Sequence, residues 1–297
     1  MKPIRTALFA PGIRDRVMAK ALDSGVDAVI LDLEDSVPLA AKAEARAMVV
    51  RVLEGIAATE TPHPVIMVRV NAFSTGLLAE DLSAVVQPGL DVVLLPKAER
   101  VDEITSAAAM IERDEVNRGM RRGAVQIVPM IESALGVVRC FDMLKASERI
   151  AGSCIGTARD GDLQTDLGCG WSIEGTEMLY ARSKVLMDTR AAGSDLQPLD
   201  GVFSDLDDEA GLIADSRLSA RLGFTGRTII HPKQIEPVRS AYAVPEAAII
   251  YYRQVVTEFE AAEKTGVAAI VVNGKLVDYA MYQRARRVLA AAALDRR

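Results

Sequence analysis

The stretch that decides the fold is Val29-Ile30-Leu31-Asp32-Leu33-Glu34-Asp35-Ser36, an apolar run that leads directly into three carboxylates. The apolar part predicts a buried β-strand, and buried strands avoid unpaired charge because removing a carboxylate from water is costly. Acids at the end of such a strand therefore indicate a metal, cation or catalytic site. The structural alternative is a helix cap joined to a nearby arginine by a salt bridge. This run alone does not choose between the two.

Similar apolar runs recur along the chain, separated by helix-like stretches rich in Ala, Leu, Arg, Lys and Glu. Eight of these runs are predicted strands: Ala7–Ala10, Ala28–Leu33, Val65–Val70, Val92–Leu95, Gln126–Ile131, Ile150–Ile155, Gly201–Ser204 and Thr228–Ile230. Eight alternating strand–helix units predict an α/β fold, a closed parallel (β/α)8 TIM barrel. The runner-up is an open doubly wound sheet. That fold usually carries a Gly-rich phosphate loop after its first strand, and none follows here.

The barrel is predicted to occupy residues 1–242, which leaves residues 243–297 as a C-terminal extension. This extension is predicted to form a long helix (Pro245–Lys264), a hydrophobic hairpin (Val267–Leu276) and a final basic helix. Asn273-Gly274 is a favoured dipeptide for the tight turn of such a hairpin. The extension is surplus to a barrel and could cap one barrel end or reach a neighbouring subunit.

The composition excludes several classes of function. A net charge of −6 and an aromatic content of 4% argue against nucleic acid as a partner. The apolar runs are too short to span a bilayer, so no membrane partner is expected. The three cysteines form no CxxC pair, which suits reduced thiols, and no basic-then-apolar leader segment is seen at the N-terminus. These features predict a cytoplasmic protein.

Polar residues cluster where the predicted strands end. In a (β/α)8 barrel the carboxyl ends of the strands form the active-site face. The strand-end candidates are Arg14, Asp32, Glu34, Asp35, Arg69, Asn71, Lys97, Glu132, Asp162, Asp205 and His231. The carboxylates together favour a hard divalent cation such as Mg²⁺, whereas two histidines and no thiol pair argue against zinc. A cation beside Arg69 suits an anionic substrate, or a negative charge that develops during a reaction.

Short motifs also occur in a fixed order over nearly the whole chain. They are Leu8–Gly12 followed by Arg14, Asp27–Val37, Val68–Asn71, Leu95–Lys97, Met130–Ser133, Asp162–Gly168, Ala181–Lys184, Gly201–Asp205, Ile230–Ile235 and Gly274–Asp278. With this joint pattern, the chain resembles the citrate lyase beta-subunit-like proteins of the HpcH/HpaI aldolase superfamily, which include malyl-CoA and citramalyl-CoA lyases.

The resemblance implies a Mg²⁺-dependent carbon–carbon lyase. Such an enzyme cleaves a 3-hydroxyacyl-CoA, for example malyl-CoA or citramalyl-CoA, into an acyl-CoA and a 2-keto acid. It implies that Glu132 and Asp162 bind the metal and that Arg69 is the active-site arginine. It further implies that Glu34 and Asp35 lie near the metal-bound waters and act in catalysis.

The resemblance also implies a homotrimer or hexamer. In such an assembly the C-terminal extension would be a lid over a neighbouring subunit's active site, and Asp278 would supply an acid/base group from that neighbour. Arg14 and Lys20, on the first loop and helix, are the candidates for contacts with CoA phosphates.

One loop departs from the family pattern. In Ala158–Asp166, Asp162 is aligned with the metal ligand by counting back from Asp166, and Asp160 competes for that role. Arg159 and Gly161 replace bulkier or acidic family residues, so the pocket and the substrate can differ from those of the best-known members.

Three activities besides that of a CoA-thioester lyase remain open from the sequence. The same site could hydrolyse malyl-CoA as a thioesterase. The chain could be a citrate lyase beta subunit that acts on an acyl-carrier-protein thioester within a complex. It could also be an aldolase that uses Lys97 as a Schiff base, which requires a lowered lysine pKa in a dry pocket.

Overall fold

Eight parallel strands close into a barrel in this computed structural model, which describes residues 3–294. The strands follow chain order around the barrel, and β8 closes it by pairing with β1. They are β1 (Thr6–Pro11), β2 (Ala28–Asp32), β3 (Val65–Arg69), β4 (Val92–Leu95), β5 (Gln126–Ile131), β6 (Gly152–Ile155), β7 (Gln197–Asp200) and β8 (Gly226–Ile229). The predicted TIM barrel is confirmed, and the open doubly wound sheet is excluded.

Helices follow the strands along the chain, as the sequence pattern predicts. They are α1 (Asp15–Leu22), α2 (Lys42–Ala57), α3 (Leu78–Val85), α4 (Val101–Asn117), α5 (Ala134–Lys145), α6 (Asp162–Leu167), α7 (Leu179–Ala192), α8 (Glu209–Leu222) and α9 (Ile235–Tyr242). Short 3-10 turns occupy Leu39–Ala41, Phe73–Thr75 and Pro232–Gln234. The six-residue α6 precedes α7 in the same β6–β7 connection, and the sequence pattern does not predict it.

The predicted position of the seventh strand is wrong. The sequence favours Gly201–Ser204, but β7 is Gln197–Asp200, four residues earlier. Its sequence, Gln-Pro-Leu-Asp, is poor in strand-forming residues. Burial and tertiary partners override that propensity: Asp200 is fully buried and accepts a hydrogen bond from Thr157 Oγ1 at 3.0 Å. Asp205 consequently lies in the loop after β7 rather than at a strand end.

The two-residue period of the strands places charge on top of an apolar barrel interior. Inward-facing residues such as Ile30, Met67 and Met130 belong to one buried cluster inside the barrel. Asp32, Arg69 and Glu132 each follow one of these residues by two positions, so they face the same side of their strands. The last interior layer at the carboxyl ends of β2, β3 and β5 is therefore charged and buried.

A second compact unit begins at Tyr242. It contains α10 (Glu246–Glu263), an antiparallel hairpin of β9 (Ile270–Val272) and β10 (Lys275–Val277), and α11 (Tyr279–Leu294). Asn273 and Gly274 both have positive φ, as the tight turn predicted there requires. Phe259 and Tyr282 stack at 4.8 Å between ring centres and anchor the small core of this unit.

Within residues 3–294, none of the helices has the length and apolar character needed to cross a membrane.

Candidate active site

A cavity of about 460 Å³ opens at the carboxyl ends of the barrel strands. Phe9, Met130, Val202 and Ile230 contribute to its apolar wall. The charged residues that line it are Asp32, Asp35, Arg69, Glu132 and Asp162. Its volume suits a small organic ligand, and convergent charges on apolar walls are typical of a site that orients a polar substrate.

Arg69 is the central cation of this cluster. Its Nε and Nη2 donate to the two oxygens of Asp32 at 2.6 and 2.8 Å, and Nη1 donates to Asp35 at 3.0 Å. The guanidinium also lies over the ring of Phe9, 4.9 Å from its centre. Burial alone would lower the pKa of Arg69, but the hydrogen bonds and charge of Asp32 raise it. Arg69 is therefore a fixed, permanently charged group at the cavity wall.

Asp32 positions this arginine and the turn that follows β2. Its carboxylate accepts hydrogen bonds from the backbone N–H groups of Glu34 and Ser36 as well as from Arg69. Burial would raise the pKa of Asp32, but the hydrogen bonds and charge of Arg69 hold it below its usual value. Asp32 is thus an ionised positioning group.

Glu34 is buried and only partly satisfied. Its Oε1 accepts a hydrogen bond from Lys97 Nζ at 2.7 Å. Its buried Oε2 has no aligned donor among the described residues, although Arg69 Nη1 lies 3.0 Å away. Burial raises the pKa of Glu34 from 4.5 to about 7, against the opposing charges of Arg69 and Lys97. Glu34 can therefore gain or lose a proton near neutral pH.

Lys97 links the strand-two acids to the predicted metal ligands. Its Nζ lies 2.7 Å from Glu34, 3.3 Å from Asp35 and 3.4 Å from Asp162. Its backbone N–H donates to Glu132 Oε2 at 3.1 Å. The backbone of Lys97 is left-handed there, with φ of 51°. Such a conformation is uncommon in a non-glycine residue and is held only by surrounding structure.

The charge state of Lys97 argues against a Schiff-base mechanism. Burial alone would lower its pKa, but the hydrogen bond and charge of Glu34, aided by Asp35 and Asp162, raise it. A Schiff-base lysine needs the opposite shift, because only the neutral amine is nucleophilic.

Glu132 and Asp162 both border the cavity and both contact Lys97. Glu132 directly follows β5 and is buried, and that burial raises its pKa. Asp162 opens α6, and its side chain is half exposed. Gly156 leaves room for the Glu132 side chain, since a Cβ at that position would lie 2.8 Å from Glu132 Cγ.

These two carboxylates fit a hard cation. Mg²⁺ commonly takes one or two protein carboxylates and completes its shell with water or substrate oxygens. Within residues 3–294, no group of three or more His, Cys, Asp or Glu side chains is arranged to hold a metal. The competing candidate, Asp160, has a side chain that is 84% exposed and is absent from the cavity lining, whereas Asp162 belongs to it.

Arg14 and Lys20 do not line the cavity. Arg14 is exposed at the start of α1, near the carboxyl end of β1. Lys20 is exposed in the last turn of the same helix, six positions further on. Six residues of helix correspond to roughly 9 Å, so Lys20 lies further from the barrel mouth than Arg14 does.

Three other polar residues from the predicted strand ends have structural partners. Buried Asn71 donates to Asp81 at 2.7 Å. His231 caps a 3-10 turn, with Nδ1 accepting from the Lys233 N–H at 3.1 Å. Asp205 accepts a hydrogen bond from a neighbouring N–H within its own exposed loop.

Asp278 belongs to the second unit, directly after β10. Its Oδ1 accepts a hydrogen bond from Met281 N at 3.0 Å, at the start of α11. In its own chain it therefore caps a helix, a role that asparagine also fills well.

From the sequence, Asp32 and Lys97 are both strand-end candidates, but Asp32 has no specific role and Lys97 only that of a possible Schiff base. A signal for Asp32 exists, because Asp32 and Arg69 end adjacent parallel strands and are direct register partners. The role of Lys97 depends on its left-handed backbone and on contacts with residues from three other strand ends. No local pattern in the sequence encodes those contacts.

Comparison with known proteins places this geometry in a family. The HpcH/HpaI aldolase/citrate lyase family matches residues 5–232. The citrate lyase subunit beta of Escherichia coli K12 is 36% identical over 98% of this chain and 94% of its own length. The human mitochondrial citramalyl-CoA lyase is 30% identical over 98% and 86%, and a (3S)-malyl-CoA thioesterase of Cereibacter sphaeroides is 31% identical over 98% and 95%.

A solved structure shares both units of the chain. CitE from Mycobacterium tuberculosis, in complex with magnesium, acetoacetate and coenzyme A, superposes with a TM-score of 0.76 at 29% identity and covers 98% of each chain. With the matched relatives, this confirms the resemblance to citrate lyase beta-like enzymes. The chain belongs to the HpcH/HpaI aldolase/citrate lyase family.

Proposed function

We propose that this protein is a Mg²⁺-dependent carbon–carbon lyase that cleaves a 3-hydroxyacyl-CoA, such as malyl-CoA or citramalyl-CoA, into an acyl-CoA and a 2-keto acid. The observation that carries the proposal is the meeting of Arg69, Glu132 and Asp162 around one cavity at the barrel mouth. Glu132 and Asp162 would hold the metal. When bound, Mg²⁺ supplies a fixed positive charge that polarises the hydroxyl oxygen destined to become the keto oxygen.

The reaction needs a base, a charge stabiliser and an acid. A carboxylate takes the hydroxyl proton, the carbon–carbon bond breaks, and its electrons move to the thioester oxygen as an enolate. Arg69 stabilises that oxygen, a contact typically worth about 3–4 kcal/mol of barrier. Protonation of the enolate carbon then completes the acyl thioester.

We assign the acid/base role to Asp278 of a neighbouring subunit. Residues 243–297 would then form a lid over that neighbour's site in a homotrimer or hexamer. Asp35, which lines the cavity, and the buried Glu34 support the reaction by holding Lys97 and Arg69 in place. Arg14 and Lys20 remain the proposed contacts for CoA phosphates, with Arg14 better placed because it lies nearer the mouth.

A panel assay tests the proposal. Malyl-, methylmalyl- and citramalyl-CoA are incubated with the protein in Mg²⁺ or in EDTA, and keto acid and free thiol are both measured. The proposal predicts Mg²⁺-dependent keto acid release without free thiol. Release of thiol together with a malate-type acid would instead establish a thioesterase, the activity named for the Cereibacter relative.

Two further arms test for a carrier-dependent subunit and for a Schiff-base aldolase. Activity with an acyl-carrier-protein thioester but not with free CoA thioesters would identify a carrier-dependent subunit. The Escherichia coli relative is named as a subunit. Borohydride trapping with substrate would detect a covalent adduct on Lys97. The proposal predicts no adduct and loss of activity in EDTA.

A further inference from the structure

One arginine at the barrel mouth has no role in the site described above. Arg159 follows Ala158, which lines the cavity. Its guanidinium carbon lies 5.4 Å from the ring centre of Trp171. Trp171 packs in turn against buried Phe203, with 6.1 Å between ring centres. Stacking on a ring holds a guanidinium in place and leaves its in-plane N–H groups for an anion.

The ion pair that Arg159 makes is weak. Its Nε lies 3.8 Å from Asp160 Oδ2, and the two side chains are 59% and 84% exposed. Exposed pairs of this kind contribute little and are readily exchanged for a stronger anionic partner. The turn does not depend on the pair, because the Asp160 N–H donates to Gln164 Oε1 at 2.7 Å. Lys97, another cation at the mouth, is more firmly engaged, because its Nζ contacts three carboxylates.

The size of the cavity determines where a thioester's carrier must run. A volume of about 460 Å³ suits the acyl group and the reacting thioester. The long pantetheine arm then leaves the cavity, and its phosphate reaches the rim rather than the interior. Arginine is well suited to bind a phosphate there, because its fork of N–H donors matches two phosphate oxygens.

We propose that Arg159, held on Trp171, is a phosphate-binding residue for the pantetheine arm that carries the acyl group. The inference rests on the proposed function, since a thioester substrate brings such an arm to the mouth. Two carriers contain this phosphate: coenzyme A and the phosphopantetheine group of an acyl carrier protein.

Isothermal titration calorimetry tests this without turnover. The probes are coenzyme A, 4′-phosphopantetheine and pantetheine, which carries no phosphate. The variants are Arg159→Gln, Trp171→Leu, Trp171→Phe and a charge-matched control, Arg51→Gln. Arg51 is exposed on α2 and lies beside the segment that leads into β3. It is therefore at the amino ends of the barrel strands, away from the cavity. Circular dichroism confirms that each variant is folded.

Arg159→Gln should weaken coenzyme A binding about five- to twenty-fold and leave pantetheine binding unchanged. Trp171→Leu should cause part of that loss, and Trp171→Phe should restore most of it because an aromatic face remains. Arg51→Gln should stay within about twofold of wild type. A parallel loss with 4′-phosphopantetheine places Arg159 on the phosphate common to both carriers. A loss with coenzyme A alone would place Arg159 on the outer phosphates and contradict its assignment to the phosphate of the pantetheine arm.

Two further results would overturn the proposal. One is an Arg159→Gln variant that binds coenzyme A as wild type does. The other is an equal loss of pantetheine binding, which would show that Arg159 does not recognise the phosphate. The fate of the proposed function is read separately in the panel assay. If the panel assay shows no keto acid release but binding still depends on the phosphate and on Arg159, the lyase assignment is wrong and the phosphate site at the rim stands.

Discussion

Arg69 holds both carboxylate oxygens of Asp32, at 2.6 and 2.8 Å, across the neighbouring strands β2 and β3. The pair is buried, with 9% of the Arg69 side chain and 2% of the Asp32 side chain exposed. It therefore fixes the cation that the proposed mechanism needs, and it does so before any substrate binds.

Replacing Asp32 with Asn should damage stability and activity together. The variant leaves a buried arginine with less compensation, so the free energy of unfolding should fall by about 3 kcal/mol. Urea denaturation measures this. The control is Glu80→Gln. The Glu80 side chain is 65% exposed, and its carboxylate lies 2.6 Å from Arg46. Its loss should lower the free energy of unfolding by less than about 1 kcal/mol. Equal effects in the two variants would contradict the positioning role of Asp32.

Arg69→Lys keeps the positive charge but loses the planar guanidinium, whose N–H groups contact Asp32 while the side chain also lines the cavity. We expect kcat to fall by about 100- to 1000-fold with the fold retained, because the enolate loses its main stabilising donor. Steady-state kinetics on the best substrate of the panel, with circular dichroism as the folding control, measures the effect. A rate within threefold of wild type, roughly 0.7 kcal/mol of barrier, would remove Arg69 from the mechanism.

Glu34 should make stability depend on pH in an unusual direction. Its pKa in the folded protein, about 7, exceeds the ordinary value of 4.5, so between these values the folded chain binds the additional proton. The contribution of Glu34 to the unfolding free energy therefore decreases as pH rises through this range. In EDTA, wild type should lose about 2 kcal/mol more than Glu34→Gln between about pH 5 and pH 8. Parallel curves for the two proteins would show that Glu34 is ionised throughout.

Asp278 should act in a neighbouring subunit's site. Asp278→Asn preserves the helix cap at α11 but removes the charge, so it should fold normally and lose most turnover. Mixed oligomers of Asp278→Asn and Arg69→Lys subunits should regain activity in roughly one quarter of their sites, because each needs an intact Arg69 and an intact neighbouring Asp278. Mixtures that remain as inactive as the two parents would contradict the shared site.

The sequence predicts much of this architecture because strand periodicity and strand-end chemistry are local signals. The acids after β2, Arg69 on β3 and Glu132 after β5 all follow from a two-residue period that continues from apolar positions into charged ones. Asn273-Gly274 likewise predicts its own turn.

Other features depend on partners distant in sequence. Gln197–Asp200 forms a strand although it contains a proline and two polar residues, because Asp200 finds buried partners such as Thr157. The left-handed backbone of Lys97 and its contact with Asp162 arise only when four strand ends converge. Tertiary packing decides such positions, and local propensity does not.

The central claim is that Glu132 and Asp162 together hold a divalent cation at the barrel mouth. Crystals soaked in MnCl2, with data collected near the manganese absorption edge, test it directly. We predict one anomalous peak at the mouth, within about 2.0–2.4 Å of a carboxylate oxygen from each residue, and its loss in Asp162→Asn but not in Asp160→Asn. A mouth without a peak, or a peak bound by Asp160 instead, would contradict the claim.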